Sequence, residues 1–286
     1  MSSVLDSIFN NLRGLCIGKF YSKTDLAFVN RGQSLPDTGL GIIAETIMKV
    51  SFPALAQLQD DREKFRDVVR RMIQCSTFFV FPSMAGLAIL SDRLVPLLFG
   101  NQWLGSIPYA QLACLTFSLC PLHVINLQAM TAMGRSDMFL GLEIIKKILG
   151  LLILLASIRH GVFFLMLMYA FVSSPMSLVI NAWPNRRLLR YTIIQQIRDV
   201  MPTVLISFAM CGAIFIIRIL FEKSGLYTAV GDLLLIPIVL TGMTVFVVLA
   251  IVFKIQPAVE YVRLLRTMPR CRCCAVEWIA RLLGVD

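Results

Sequence analysis

Glu143, Lys146 and Lys147 stand inside an apolar run that continues to Ile158. A charge at the centre of a bilayer costs about 2.5 to 3.5 kcal/mol on insertion scales, so ionisable residues there mark a pathway or a binding cavity by default. Glu143 and Lys147 are four residues apart in the Glu-first order that favours an ion pair, and Glu45 with Lys49 repeats it. A self-neutralising bridge, or a lysine that snorkels to a helix end, is the plainer reading of both pairs. Nearer the start, Asp6, Asn10 and Arg13 fall on one face of a helix and give it a wet stripe. Asn126 and Gln128 add amides that can hydrogen-bond a polar ligand or join one helix to another.

The elements that position these residues follow from composition. Of 286 residues, 57% are hydrophobic and 15% charged, and the mean hydropathy is +0.77. Long apolar stretches exceed the roughly 20 residues that cross a hydrocarbon core, and the ten-residue alternation of barrel strands is absent. Backbone groups in lipid must be paired within their own segment, so the chain reads as an all-α polytopic membrane protein. Eight segments are predicted, at 3–21, 37–57, 72–91, 107–132, 138–158, 161–182, 200–221 and 231–253. Turn and breaker signals such as Pro36-Asp37, Gly100-Asn101, Gly134 and Trp183-Pro184-Asn185 separate them. Prolines also punctuate the spans, and Pro82 and Pro175, flanked by small residues, are hinge candidates.

Basic residues concentrate in alternate connections. Arg62, Lys64, Arg66, Arg70 and Arg71 occupy one, Arg186, Arg187, Arg190 and Arg198 another, and Lys254, Arg263, Arg266, Arg270, Arg272 and Arg281 the tail. The intervening connections are poor in Lys and Arg, which predicts cytoplasmic termini. This distribution accounts for the formal net charge of +10 by topology and anionic lipid rather than by nucleic acid. Most of the eight cysteines sit singly in apolar runs as small hydrophobes, and the Cys271-Arg-Cys273-Cys274 cluster lacks zinc spacing. His123 and His160 are isolated, and no nucleophile or acidic-pair constellation is present, so neither an enzyme nor a cofactor is expected. Val276 to Leu283 reads as a short surface helix.

Ordered motifs carry a resemblance. They are Ile17-Gly-Lys-Phe-Tyr-Ser22, Asn30-Arg-Gly-Gln-Ser-Leu-Pro36, Phe52-Pro-Ala-Leu-Ala-Gln-Leu-Gln-Asp60 and Phe81-Pro-Ser-Met-Ala-Gly-Leu87, followed by Asn126-Leu-Gln-Ala-Met130, Met133-Gly-Arg-Ser-Asp137 and Leu142-Glu-Ile-Ile-Lys-Lys147. Over about residues 5 to 255 the chain resembles the oligosaccharide and lipopolysaccharide flippases of the multidrug/oligosaccharidyl-lipid/polysaccharide exporter superfamily. The resemblance implies transport of undecaprenyl-diphosphate-linked repeat units to the periplasmic leaflet of a bacterial inner membrane. It also implies a second six-helix lobe over 1–182, two additional helices over 183–256 and a basic cytoplasmic tail over 257–286, with the first lobe missing. Because alternating access needs two bundles rocking about a central site, this chain is then expected to be half of such a machine. A separate first lobe, a polysaccharide polymerase, membrane lipids and the lipid-linked oligosaccharide are the partners implied.

On that reading Arg13, Lys49, Lys146 and Lys147 would meet the diphosphate, Asn10, Asn126 and Gln128 the sugars, and Glu45 and Glu143 would exchange a coupling ion. Export of small organic cations and a non-transporting scaffold are the competing readings. Basic residues within the spans disfavour the first, and a scaffold would not need them.

Overall fold

The computed structural model describes residues 14–223 and 234–267, and the side chains of all of these except 39–45, 48, 50, 136 and 263–267. Asn10 and Arg13 therefore lie outside the described residues, as does the surface helix expected at 276–283, and the side chain of Glu45 is likewise not described. After a short helical stretch at 14–20 come α1 (Lys23–Ala56) and α2 (Arg62–Phe99). A 3-10 turn, Asn101–Ser106, leads into α3 (Ile107–Ser118) and α4 (Cys120–Ala132). Then follow α5 (Ser136–Ser157), α6 (Val162–Met168) and α7 (Ser174–Leu188) joined by a π-helical turn at Tyr169–Ser173. The last are α8 (Ile193–Lys223), α9 (Leu235–Val252) and α10 (Gln256–Thr267). The protein is an all-α polytopic membrane protein.

Five stretches among the described residues are long and apolar enough to span a bilayer: α2, residues 101–132, residues 162–188, α8 and α9. The helices α1 and α5 have the length, at 34 and 22 residues, but are interrupted by ionisable residues. They are also the helices that carry Lys49 and the Glu143, Lys146, Lys147 group.

Several predicted breaks are helical instead. Residues 23–36, read as a connection, are the first turns of α1, which continues through Pro36 and Pro53. A proline ring clashes with the carbonyl four residues earlier, and for Pro36 that residue is Gly32, where α1 crosses the start of α3 at close range. A Cβ on Gly32 would lie 2.8 Å from the Ala110 backbone nitrogen and 2.9 Å from the Ser106 carbonyl oxygen, so only glycine allows this approach. The basic residues 62–71 likewise form the first turns of α2, begun by Asp61, whose side chain accepts a hydrogen bond from the Lys64 amide. Trp183-Pro184-Asn185 lies within α7, so the boundary expected at 182 falls inside a helix and the break comes at 189–192. Conversely the segment 107–132 is divided at Leu119, just before Pro121. The tail expected from 257 begins with α10.

α2 is the organising helix, packed against α3 on one side and α8 on another, with α9 behind α8; α4 lies between α1 and α5 and also meets α7. One apolar cluster joins Phe65, Val69 and Ile73 of α2 to Ile125 and Ala129 of α4 and Val200 of α8. A second joins Phe78 of α2 to Met210 and Ile214 of α8, Phe246 and Ala250 of α9 and Ala258 of α10. The faces turned away from these clusters expose Leu, Ile and Phe, as a lipid environment allows.

Candidate functional site

Helical spacing orients α5. Leu142, Glu143, Gly150, Leu154 and Ser157 are buried, whereas Ile144, Ile145, Ile148, Leu151, Leu152 and Leu155 are exposed. Glu143 therefore points into the bundle and the isoleucine and leucine face points to lipid. The side chains of Glu143 and Lys146 are only 8% and 14% exposed and form an ion pair. The pairing differs from the expected one: Glu143 reaches the lysine three residues on, Lys146, where the sequence suggested Lys147. Lys147 is half-buried beside it, and Lys49 of α1 is exposed.

The charge of Lys146 bears on His123 of the neighbouring α4. Across from it Asn181 of α7 donates through Nδ2 to His123 Nδ1 at 3.1 Å. One helical turn deeper, Asn126 and Gln196 form a reciprocal amide pair at 2.8 and 3.0 Å. Asn185 Nδ2 donates to the same Asn126 Oδ1 at 2.6 Å, and Asn126 Nδ2 also donates to the Leu122 carbonyl at 2.8 Å. Asn126, Asn185 and Gln196 are fully buried. Thus a polar seam runs from α5 through α4 and α7 to α8, in a region otherwise filled with apolar side chains.

Its parts have different capacities. Both atoms of the Asn126 amide are already used twice, so it joins α4, α7 and α8 and has nothing left for a ligand. By contrast Asn181 Oδ1 and Asn185 Oδ1 are buried acceptors without a partner among the described residues. Gln128, also on α4, is half-buried, and its amide makes no hydrogen bond among the described residues. Glu143, Lys146, His123 and Asn181 are the members that combine charge, proton capacity and unused hydrogen-bonding groups. No group of three potential metal ligands occurs among the described residues.

A second polar station lies where α2 and α8 meet the α7–α8 turn. Arg70 grips Asp199 through Nε and Nη2 at 2.7 and 2.5 Å, and the Tyr191 hydroxyl donates to the same carboxylate at 2.8 Å. The Asp199 side chain is 7% exposed. Burial and the hydrogen bond to this carboxylate hold the Tyr191 phenol above its ordinary range, which keeps it a donor. In the sequence Arg70 belonged to one basic connection and Asp199 to the end of another, and no local spacing linked residues so far apart. At the other end of the same two helices Arg218 meets Asp92 at 2.5 Å.

Comparison with known proteins adds a family. The signature of the polysaccharide biosynthesis protein family matches residues 1–108, which hold α1, α2 and the approach to α3. Among relatives, the lipopolysaccharide biosynthesis protein WzxC of Escherichia coli K12 is 41% identical over 68 residues, 24% of this chain and 14% of that protein. The succinoglycan biosynthesis transport protein ExoT of Rhizobium meliloti 1021 is 31% identical over 87 residues, 30% of this chain and 17% of its own. A longer match, 22% identity over 209 residues, relates 73% of this chain to 43% of the teichuronic acid biosynthesis protein TuaB of Bacillus subtilis 168. The matched part of the chain thus spans less than half the length of each. No solved structure matches it. Lys49 lies inside the family segment, whereas Glu143, Lys146 and the amide seam lie beyond it.

Proposed function

We propose that this chain serves the movement of lipid-linked oligosaccharides across a bacterial inner membrane for surface polysaccharide assembly, with undecaprenyl diphosphate as the carrier. The carrying observation is the Glu143–Lys146 pair, turned inward on a membrane-length helix beside His123 and Asn181. Such a pair costs more than an apolar pair would unless its groups have work to do. A diphosphate leaving water needs a cation within reach, and Lys146 supplies one when it exchanges Glu143 for the cargo. Glu143, released from the lysine, is then free to take a proton or a counter-cation. Asn181 and Gln128 offer amide groups to the sugar. The similarity to a succinoglycan biosynthesis transport protein supports transport rather than catalysis.

The test is binding to the purified chain in detergent of a short-chain isoprenoid diphosphate disaccharide, against tetraphenylphosphonium as a lipophilic cation. Saturable binding of the diphosphate, weakened by Lys146→Ala, is expected. Preference for the cation would assign the chain to export of small organic cations.

The orientation proposed with this function has both termini in the cytoplasm, with the basic first turns of α2 on that side and the 3-10 turn outside. On a background without native cysteines, an impermeant maleimide added to whole cells is expected to label Asn101→Cys and leave Glu63→Cys unmodified. The reverse pattern would invert the topology.

A further inference from the structure

The chain from Arg62 to Arg71 is densely charged, and from Met72 onward α2 is apolar, so α2 enters the membrane at about Arg71. At that level a polar recess of about 350 Å³ opens between α2 and the first turn of α10, lined among others by Asp67, Arg70, Arg71, Gln74, Gln256 and Glu260. Gln74 is only 7% exposed, it lines the recess, and its amide makes no hydrogen bond among the described residues. Its amide is open to the recess and available to a ligand there.

The same face of α2 continues downward as an apolar groove. Arg71, Cys75, Phe78, Pro82 and Gly86 follow one another at helical spacing; the first two line the recess and the others line a groove of about 470 Å³ between α2, α8 and α9. Phe246 and Val247 form the far wall of this groove. Tyr261 of α10 sits at the junction, its hydroxyl donating to the Cys75 carbonyl at 3.4 Å and its ring 4.7 Å from that of Phe79. A polar pocket at headgroup level that leads along one helix face into an apolar groove has the form of an amphiphile.

Charge selects the class of amphiphile. Arg70 is committed to Asp199, whereas Arg71 has only a loose contact with Glu260, Nε to Oε1 at 3.7 Å. Asp67 and Glu260 face the same space. An anion alone would lie against two carboxylates, and a cation alone against Arg71. A ligand carrying both signs meets neither penalty: its phosphate reaches Arg71, the Gln74 amide and the N-terminal end of α10, and its ammonium reaches Glu260 and Asp67. We propose that the α2–α10 recess and the groove below it form a binding site for a zwitterionic phospholipid of the surrounding bilayer, headgroup in the recess and one acyl chain in the groove. The site lies on the opposite side of α2 from the α4 seam and is independent of the transport reading. It pins α10 to the membrane surface.

The experiment is native mass spectrometry of the full chain, purified in detergent and offered equal amounts of palmitoyl-oleoyl phosphatidylethanolamine and phosphatidylglycerol. The ethanolamine lipid is expected to be retained in excess. Arg71→Ala and Gln74→Ala should each lower its retention, by about tenfold for the arginine, with circular dichroism unchanged in at least one of the two. Glu260→Gln should lower the ethanolamine lipid and raise the glycerol lipid. Deacylated glycerophosphoethanolamine should not compete. Equal retention of both lipids, indifference to all three substitutions, or displacement by an isoprenoid diphosphate would overturn the proposal, the last by making this a cargo site.

Discussion

Lys146→Ala is expected to lower the unfolding temperature of the protein in detergent and its abundance in the membrane. Glu143 is 8% exposed, and removal of its partner takes the ion pair from a buried carboxylate, a change that costs about 3 to 5 kcal/mol in soluble cores and less here to the extent that Lys147, half-buried beside it, compensates. Glu143→Gln is expected to be milder, because the long lysine stem can carry its ammonium toward water. The double variant removes both charges and should recover most of the stability, giving a coupling energy of roughly 1 to 3 kcal/mol in a double-mutant cycle. Binding of the isoprenoid diphosphate should respond differently: lost in Lys146→Ala and still lost in the double variant, since stability returns but the cation does not. If the double variant recovers binding together with stability, Lys146 serves only to neutralise Glu143, and α5 has no part in holding the cargo.

Asn126→Ala should be the most damaging single change among the seam amides. It strands the Gln196 amide and leaves the Asn185 donor only its 3.4 Å contact with the backbone carbonyl at 126, both side chains being fully buried. An unsatisfied buried group costs about 1 to 3 kcal/mol, less where a membrane-embedded unfolded chain can find other partners. The expected readout is a lower unfolding temperature and faster proteolysis at the α7–α8 turn, because Asn126 is the bond that holds Asn185 of α7 and Gln196 of α8 to α4. Gln196→Leu breaks one arm of the same network and should cost less. Equal stability of Asn126→Ala and the parent protein would show that the three helices are held by apolar packing alone.

Both expectations bear on how the proposed transport role and the architecture are divided within one seam. Asn126 and Gln196 use their amides on each other and keep α4, α7 and α8 together. Glu143, Lys146, His123 and Asn181, a turn away, have charges and acceptors that can change partners. Under the proposed function, a rigid amide clamp beside an exchangeable ion pair would let cargo contacts alter without the helices separating. The Arg70, Asp199 and Tyr191 cluster closes the same helices α2 and α8 at one end, and Arg218 with Asp92 closes them at the other.

Membrane insertion, helical class and the candidate charged helix could be read from the residues alone, because each depends on sums over one segment. An apolar run of membrane length has only the helix as a way to pair its backbone, and a charge within it announces itself wherever the helix sits. The inward direction of Glu143 was also implicit in the Ile144, Ile145, Ile148, Leu152 face opposite it. Punctuation was less legible. Pro36 and Pro184 read as helix ends by their missing donors, yet α1 and α7 run through them, with Gly32 leaving room at the first for a close crossing by α3. What only the tertiary structure decided was partnership. Whether Glu143 meets Lys146 or Lys147 depends on the side of α5 that α4 covers. Asn126 could serve a ligand or a helix by its type alone, and Gln196, 70 residues away, took it for the helix. Arg70 and Asp199 are 129 residues apart. Such pairings arise from the rotation and depth of whole helices against one another, quantities that no local pattern encodes.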